Sequence, residues 1–162
     1  MRTHVLTFLF LLAPVVAVAS ESDCKFERTL ISGDKPDQFR CIKMWAEAGD
    51  VHWQYYLGLI LTGTVPGPKN IPEGLDTLKK VAILHDRKNS AQAMRAIGWV
   101  YKRPGPYQNF ELAYQWLFLA SHEPPVNEHS SGYLPDKELD AVIAPERMKE
   151  LEKSALDLLQ NR

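Results

Sequence analysis

Beyond the first twenty residues the histidines are His52, His85, His122 and His129. None has the H-E-x-x-H spacing that turns two imidazoles to one helix face around zinc. His122, with Glu123, Glu128 and His129, is the one local group of metal-ligating side chains. It can enclose a cation only if its segment folds back on itself; otherwise these are solvated loop residues. Ser130-Ser131-Gly132 matches no nucleophile elbow, and the chain has no phosphate-cradling glycine loop and no cysteine–histidine pair in a catalytic setting. Nucleophile and base need not be close in sequence. A hydrolytic or metal-dependent enzyme using the His122–Tyr133 loop is therefore the enzymatic alternative. The residues point instead to a protein that is not an enzyme and holds no cofactor and no metal.

The cysteines tell more about compartment than about reactivity. Arg2 and His4 precede a nearly continuous apolar run from Val5 to Val18, and Ala17-Val18-Ala19 then supplies an A-x-A pattern before Ser20. This reads as a secretory signal peptide over residues 1–19. The alternative, an uncleaved membrane anchor, would need ~20 apolar residues. Asp23 stands where a lipoprotein requires a small residue before Cys24. Removal of the signal leaves about 143 residues, 20–162, enough for a single domain with its own core. No later apolar run is long enough to span a bilayer, so stable membrane insertion after cleavage is not expected. In an exported chain, the only two cysteines, Cys24 and Cys41, suggest one disulfide. Such a bridge is worth ~3 kcal/mol on the loop-entropy account; the alternative is two unpaired thiols in a reducing compartment. The net charge of −1 offers no electrostatic case for nucleic acid.

Helical spacing dominates the rest. A first helix is expected from about Pro36 to Ala48, with Phe39, Ile42 and Ala46 on one face, ended by Gly49. Asp50 caps a second, to about Leu61, with Trp53, Leu57 and Leu61 in one stripe. Asn70 caps a third that buries Leu75, Leu78 and Ala82, with Pro72 in its first turn. Ser90 caps a fourth, with Met94, Ile97 and Tyr101 inward. Asn109 caps a fifth, with Ala113, Trp116, Leu117 and Ala120 inward. Residues 123–143 read as a polar, proline-bearing loop. A last helix over about 145–160 carries Met148, Leu151, Ala155 and Leu158 on one face. No segment alternates with period two, so the fold class is all-α.

The chain also repeats itself. Leu57-Gly58 recurs as Ile97-Gly98, and Pro66-Gly67-Pro68 recurs as Pro104-Gly105-Pro106. Leu75, Leu78 and Ala82 are echoed by Ala113, Trp116 and Ala120, a shift of 38. A period near forty with helical spacing marks a helical repeat array. Glycine at 58 and 98 costs ~1 kcal/mol of helix propensity at each site. It is explained if a partner helix crosses too closely there for a Cβ.

These residues resemble the Sel-one-like repeat family, a branch of the tetratricopeptide-like helical repeats. Ala46, Gly49, Tyr55, Leu57, Gly58 and Gly63 follow its pattern once. Ala91, Ala93, Ile97, Gly98 and Tyr101 follow it again, and Ala113, Trp116 and Ala120 match its second helix. The likeness covers about residues 39–122. It departs from the pattern in the Pro-Gly-Pro loops and at Leu61 and Leu78, where the family usually has Tyr and Trp; a generic helical bundle is the alternative. The resemblance implies a short solenoid of antiparallel helix pairs over about 36–122 with a capping helix at the C-terminus. It also implies a non-enzymatic protein-interaction module of the secretory pathway or bacterial periplasm. Such a module would act as an adaptor or immunity protein on an exported or envelope partner; a structural envelope component is a further alternative. In such pairs the first helix of each unit lines the concave face. That places Tyr55, Leu59 and Thr62, then Arg95, Trp99 and Lys102, on a candidate partner-binding stripe. The alternative is that Tyr55 and Trp99 pack against the N-terminal segment or the last helix.

Overall fold

The computed structural model describes residue 24 and residues 31–84, 87–122 and 137–160, with backbone only at 87–88 and 158–160. The signal peptide expected at 1–19, His85, the inward side chain expected of Leu158 and most of the 123–143 segment lie outside that description. The described residues form seven helices and no strand: α1 (Pro36–Glu47), α2 (Val51–Leu61), α3 (Ile71–Ala82), α4 (Arg87–Lys102), α5 (Phe110–His122), α6 (Lys137–Val142) and α7 (Pro145–Gln160). None of the described helices is long and apolar enough to cross a membrane.

Local chemistry sets most of the boundaries. Proline stands in the first turn of α1, where its missing N–H costs nothing. Gly49, at φ +94°, ends α1 in the left-handed region that a side chain would resist. The Asp50 carboxylate then accepts from the Trp53 amide at 3.2 Å and starts α2. Asn70 accepts from the Glu73 amide at 3.5 Å and donates to the Glu73 carboxylate at 2.7 Å, a reciprocal cap on α3. Asn109 accepts from the Leu112 amide at 3.0 Å and opens α5.

Two boundaries differ from the sequence expectation. α4 begins at Arg87, so Ser90 lies inside the helix and is not its cap. Its hydroxyl is buried and donates to the Ala82 carbonyl at 2.6 Å, satisfying a carbonyl in the last turn of α3. The 123–143 segment is not loop throughout, because 137–142 form α6. Burial explains the helix: Leu139 is fully enclosed with Ala113, Tyr114 and Leu117 of α5 and Leu151 of α7.

Packing follows chain order. α1 packs on α2, α2 on α3, α3 on α4 and α4 on α5, while α5 takes both α6 and α7. α2 also reaches α4 across the turn of the chain. α2 is apolar nearly all round, as a helix enclosed by several neighbours must be. Ile60, Leu78, Met94, Ile97 and Leu119 are essentially fully buried, each worth ~1.5–3 kcal/mol of transfer free energy. The two glycines do the same work. A Cβ on Gly58 would stand 2.6 Å from Leu78 Cγ, and one on Gly98 would stand 2.7 Å from Leu117 Cγ. The leucine of α3 or α5 fills the space a side chain would need. Equivalence therefore runs Leu78 to Leu117, a shift of 39, and Asn70 to Asn109 keeps it. The shift of 38 expected for this stretch is one residue short, and Trp116 corresponds to Thr77.

Cys24 and Cys41 are joined, with Cα atoms 5.6 Å apart. The bridge ties the N-terminal segment to α1. Farther along, the Gly33 amide donates to the Pro66 carbonyl at 2.7 Å, which lays that segment on the turn after α2.

Candidate functional site

The expected stripe lies on α2 and α4, and the structure divides its members by burial. Trp99 is 48% exposed on a fully formed helix, with Val100 beside it in the core. Lys102 holds its ammonium 5.0 Å from the centre of the Trp99 ring and 2.8 Å from a carboxylate oxygen of Glu138. A cation over an indole face is worth ~0.5–1 kcal/mol at an exposed site. The contact with Glu138 also fixes the Lys102 side chain, which is only 13% exposed. Arg95 lies one turn before Trp99 and is half-buried.

On α2, Tyr55 is half-buried, its ring 5.4 Å from that of Tyr56. Burial pushes its hydroxyl pKa from 10.0 up to about 12, with Tyr56 adding to the shift and the Arg95 cation opposing it. α2 and α4 pack against each other directly. Leu59 does not belong to the surface: at 7% exposure it is part of the central core. Thr62 is buried as well, its hydroxyl donating to the Leu59 carbonyl at 3.2 Å. Leu59 is buried because its side chain joins the cluster of α3 and α4 residues that includes Leu75, Leu78, Met94 and Ile97, and the turn after α2 is tied to its backbone. The amides of Thr64 and Val65 both donate to the Leu59 carbonyl, folding the chain back over this end of the helix.

Glu138 and Val142 were not singled out from the sequence. They stand one turn apart on α6, and Val142 is 54% exposed. The signal that could have found them is Lys137-Glu138-Leu139-Asp140-Ala141-Val142, a helix-compatible run with one buried leucine. It is short and follows a proline, which hid it inside the expected loop.

The histidine cluster is only partly described. His122 closes α5, its Nδ1 2.9 Å from the Phe118 carbonyl oxygen and its ring 4.1 Å from that of Phe118. Glu123, Glu128, His129 and the rest of the His122–Tyr133 segment lie outside the described residues. Among the described residues there is no group of three His, Cys, Asp or Glu side chains placed to hold a metal ion.

Two grooves accompany the stripe. One, of about 620 Å³, runs between α1 and α3 with Gln54 and Leu57 of α2 at its floor. The other, of about 360 Å³, lies between α5 and α7. There Arg147 grips both oxygens of Glu111, at 3.0 and 2.8 Å, and also pairs with Glu150 at 2.7 Å. The doubled hydrogen bond from Arg147 holds the Glu111 carboxyl below its usual range. Both grooves mix polar and apolar lining. No protein-family model, no curated protein and no solved structure matches the chain.

Proposed function

We propose that this chain is a non-enzymatic protein-interaction module of the secretory pathway or bacterial periplasm, built as a short helical-repeat array of the Sel-one-like type. It binds one exported or envelope partner, as an adaptor or immunity protein, through the face carrying Tyr55, Arg95, Trp99 and Lys102. The observation that carries this reading is Trp99, an indole nearly half exposed on a rigid helix between an arginine and a lysine. Trp, Tyr and Arg are the side chains that most often dominate binding energy. Covering the rest of that indole removes roughly 100 Å² of apolar surface from water, about 2–3 kcal/mol.

The repeat architecture is supported by the paired Gly58–Leu78 and Gly98–Leu117 contacts and by the reach of α2 to α4. The Cys24–Cys41 bridge supports export, since disulfides persist outside reducing compartments. The test is capture from an envelope extract with the 20–162 chain, in parallel with Trp99→Ala and Arg95→Ala. A defined protein retained by the parent and lost from both folded variants upholds the reading. Equal retention by all three places the binding face elsewhere.

A further inference from the structure

Helix α4 meets solvent along one narrow stripe. Positions 89–100 are buried except for Gln92 and Arg95, which are half-buried, and Trp99, which is 48% exposed. Helical spacing continues one residue past Lys102, because the Arg103 amide donates to the Trp99 carbonyl at 3.2 Å. Arg103, exposed, therefore stands one turn beyond Trp99, and Arg95 stands one turn before it. The exposed indole is set between two arginines. Lys102 differs from both: its charge is already matched by Glu138 at 2.8 Å. Among the described residues, neither the Arg95 nor the Arg103 guanidinium has an ion pair or a hydrogen bond. α4 cannot supply one, since its sequence holds four basic residues and no Asp or Glu. The chain as a whole carries a net charge of −1, so this positive stripe is a local arrangement and not a share of a basic protein. A guanidinium that is half-buried without an anion has given up hydration and gained no partner.

We propose, resting on the binding face proposed above, that the stripe takes an acidic segment of the partner protein in which two carboxylates flank one apolar side chain. The carboxylates meet Arg95 and Arg103, and the apolar group lies on Trp99. A guanidinium suits a carboxylate because its planar fork can make two parallel hydrogen bonds to it. Spacing narrows the segment further. The two arginines are about 12 Å apart along the helix axis, a span that an extended chain covers in about four residues. The acids therefore stand about four residues apart, with the apolar residue midway. A nucleic-acid strand fits less well: one indole offers a single stacking platform, and the net charge of the chain does not draw in a polyanion.

The test titrates the oxidised, isotope-labelled 20–162 chain with the end-blocked peptide Glu-Ser-Phe-Ser-Glu, followed by NMR. The comparators are Gln-Ser-Phe-Ser-Gln, Glu-Ser-Ser-Ser-Glu and a thymidine oligonucleotide. Saturable shifts are expected at the Trp99 indole N–H and at the side-chain N–H groups of Arg95 and Arg103, weakening as salt is raised. The glutamine peptide should bind about tenfold or more weakly, the size of one charge-assisted hydrogen bond, and the serine peptide should also be weaker. Arg103→Gln, at an exposed position, and Arg95→Gln should each remove the preference for the acidic peptide, while Arg95→Lys retains part of it. If Arg95→Gln does not fold, Arg103→Gln and the comparators on the parent chain decide the charge question. Equal binding of the glutamine peptide, tighter binding of the oligonucleotide, or no saturable shift at Trp99 overturns the assignment. Equal binding of the glutamine peptide at Trp99 removes the acidic chemistry and leaves the face intact. An exported partner captured equally by the parent, Trp99→Ala and Arg95→Ala removes the face itself.

Discussion

Trp99 and Trp53 are the same residue type with opposite tasks. Trp53 is 4% exposed, donates its amide to the cap Asp50 and holds its ring tilted against that of Trp45 at 4.7 Å, so it holds α1 to α2. Trp99 packs only part of its ring and lends the rest to Lys102. Trp53→Ala is expected to cost ~3–5 kcal/mol, the range for removing a large core aromatic. Trp99→Ala should cost under about 1 kcal/mol, chiefly the lost cation–π contact. Urea unfolding of the two variants checks this. Comparable losses would make Trp99 a structural residue and remove the main support for the binding face.

At the scale of elements, the helix pairs depend on what is missing at Gly58 and Gly98. Gly98→Ala drives a methyl to within 2.7 Å of Leu117 Cγ and 3.2 Å of the Ala113 carbonyl oxygen. The gain in helix propensity, ~1 kcal/mol, is outweighed by an overpacking cost of ~1–3 kcal/mol, and Gly98→Leu should be worse. Ala141→Leu, on the exposed side of α6, is the control and should stay within about 0.5 kcal/mol. A Gly98→Ala variant that melts above the parent would mean that α4 and α5 can separate freely. The N-terminal segment depends on its bridge. Reducing Cys24–Cys41 should lower stability by ~3 kcal/mol, as expected for a closed loop of this size, and should expose the amide of Gly33 to exchange before those of α4. Uniform exchange across both regions would show that the bridge stabilises the whole chain at once.

Across the whole molecule, the C-terminal helix is held by contacts distant in sequence. Arg147 pairs with Glu111, and the Tyr114 hydroxyl donates to Glu152 at 2.6 Å. Arg147 lowers the Glu111 pKa in the folded state. The pair therefore contributes stability above the ordinary carboxylate pKa, and that contribution is lost as pH falls through the depressed folded value. The pair is solvent-exposed, so the effect on overall stability is small. The sharper reading is the Glu111 carboxyl resonance: Arg147→Gln should raise its titration midpoint toward the usual carboxylate value. An unchanged midpoint would mean that the two side chains do not hold each other in solution.

Much of this protein was written locally. The helical class, the caps at Asp50 and Asn70, the stop at Gly49 and the inward stripe of Ile42 and Ala46 follow from steric and hydrogen-bonding preferences that act within a few residues. The glycines at 58 and 98 announced a close crossing, because glycine inside a helix is otherwise unfavourable. What lay beyond the sequence depends on partners far along the chain. Ser90 reads as a cap until Ala82 is brought beside it. Leu59 reads as surface until α3 and α4 close around it in the central core. α6 is too short to stand by periodicity alone and exists because Leu139 finds a place between α5 and α7. The candidate face was legible only in its residue types. Its division into buried Leu59, half-buried Tyr55 and exposed Trp99 was decided by packing, since exposure belongs to a side chain's neighbours and not to the side chain itself.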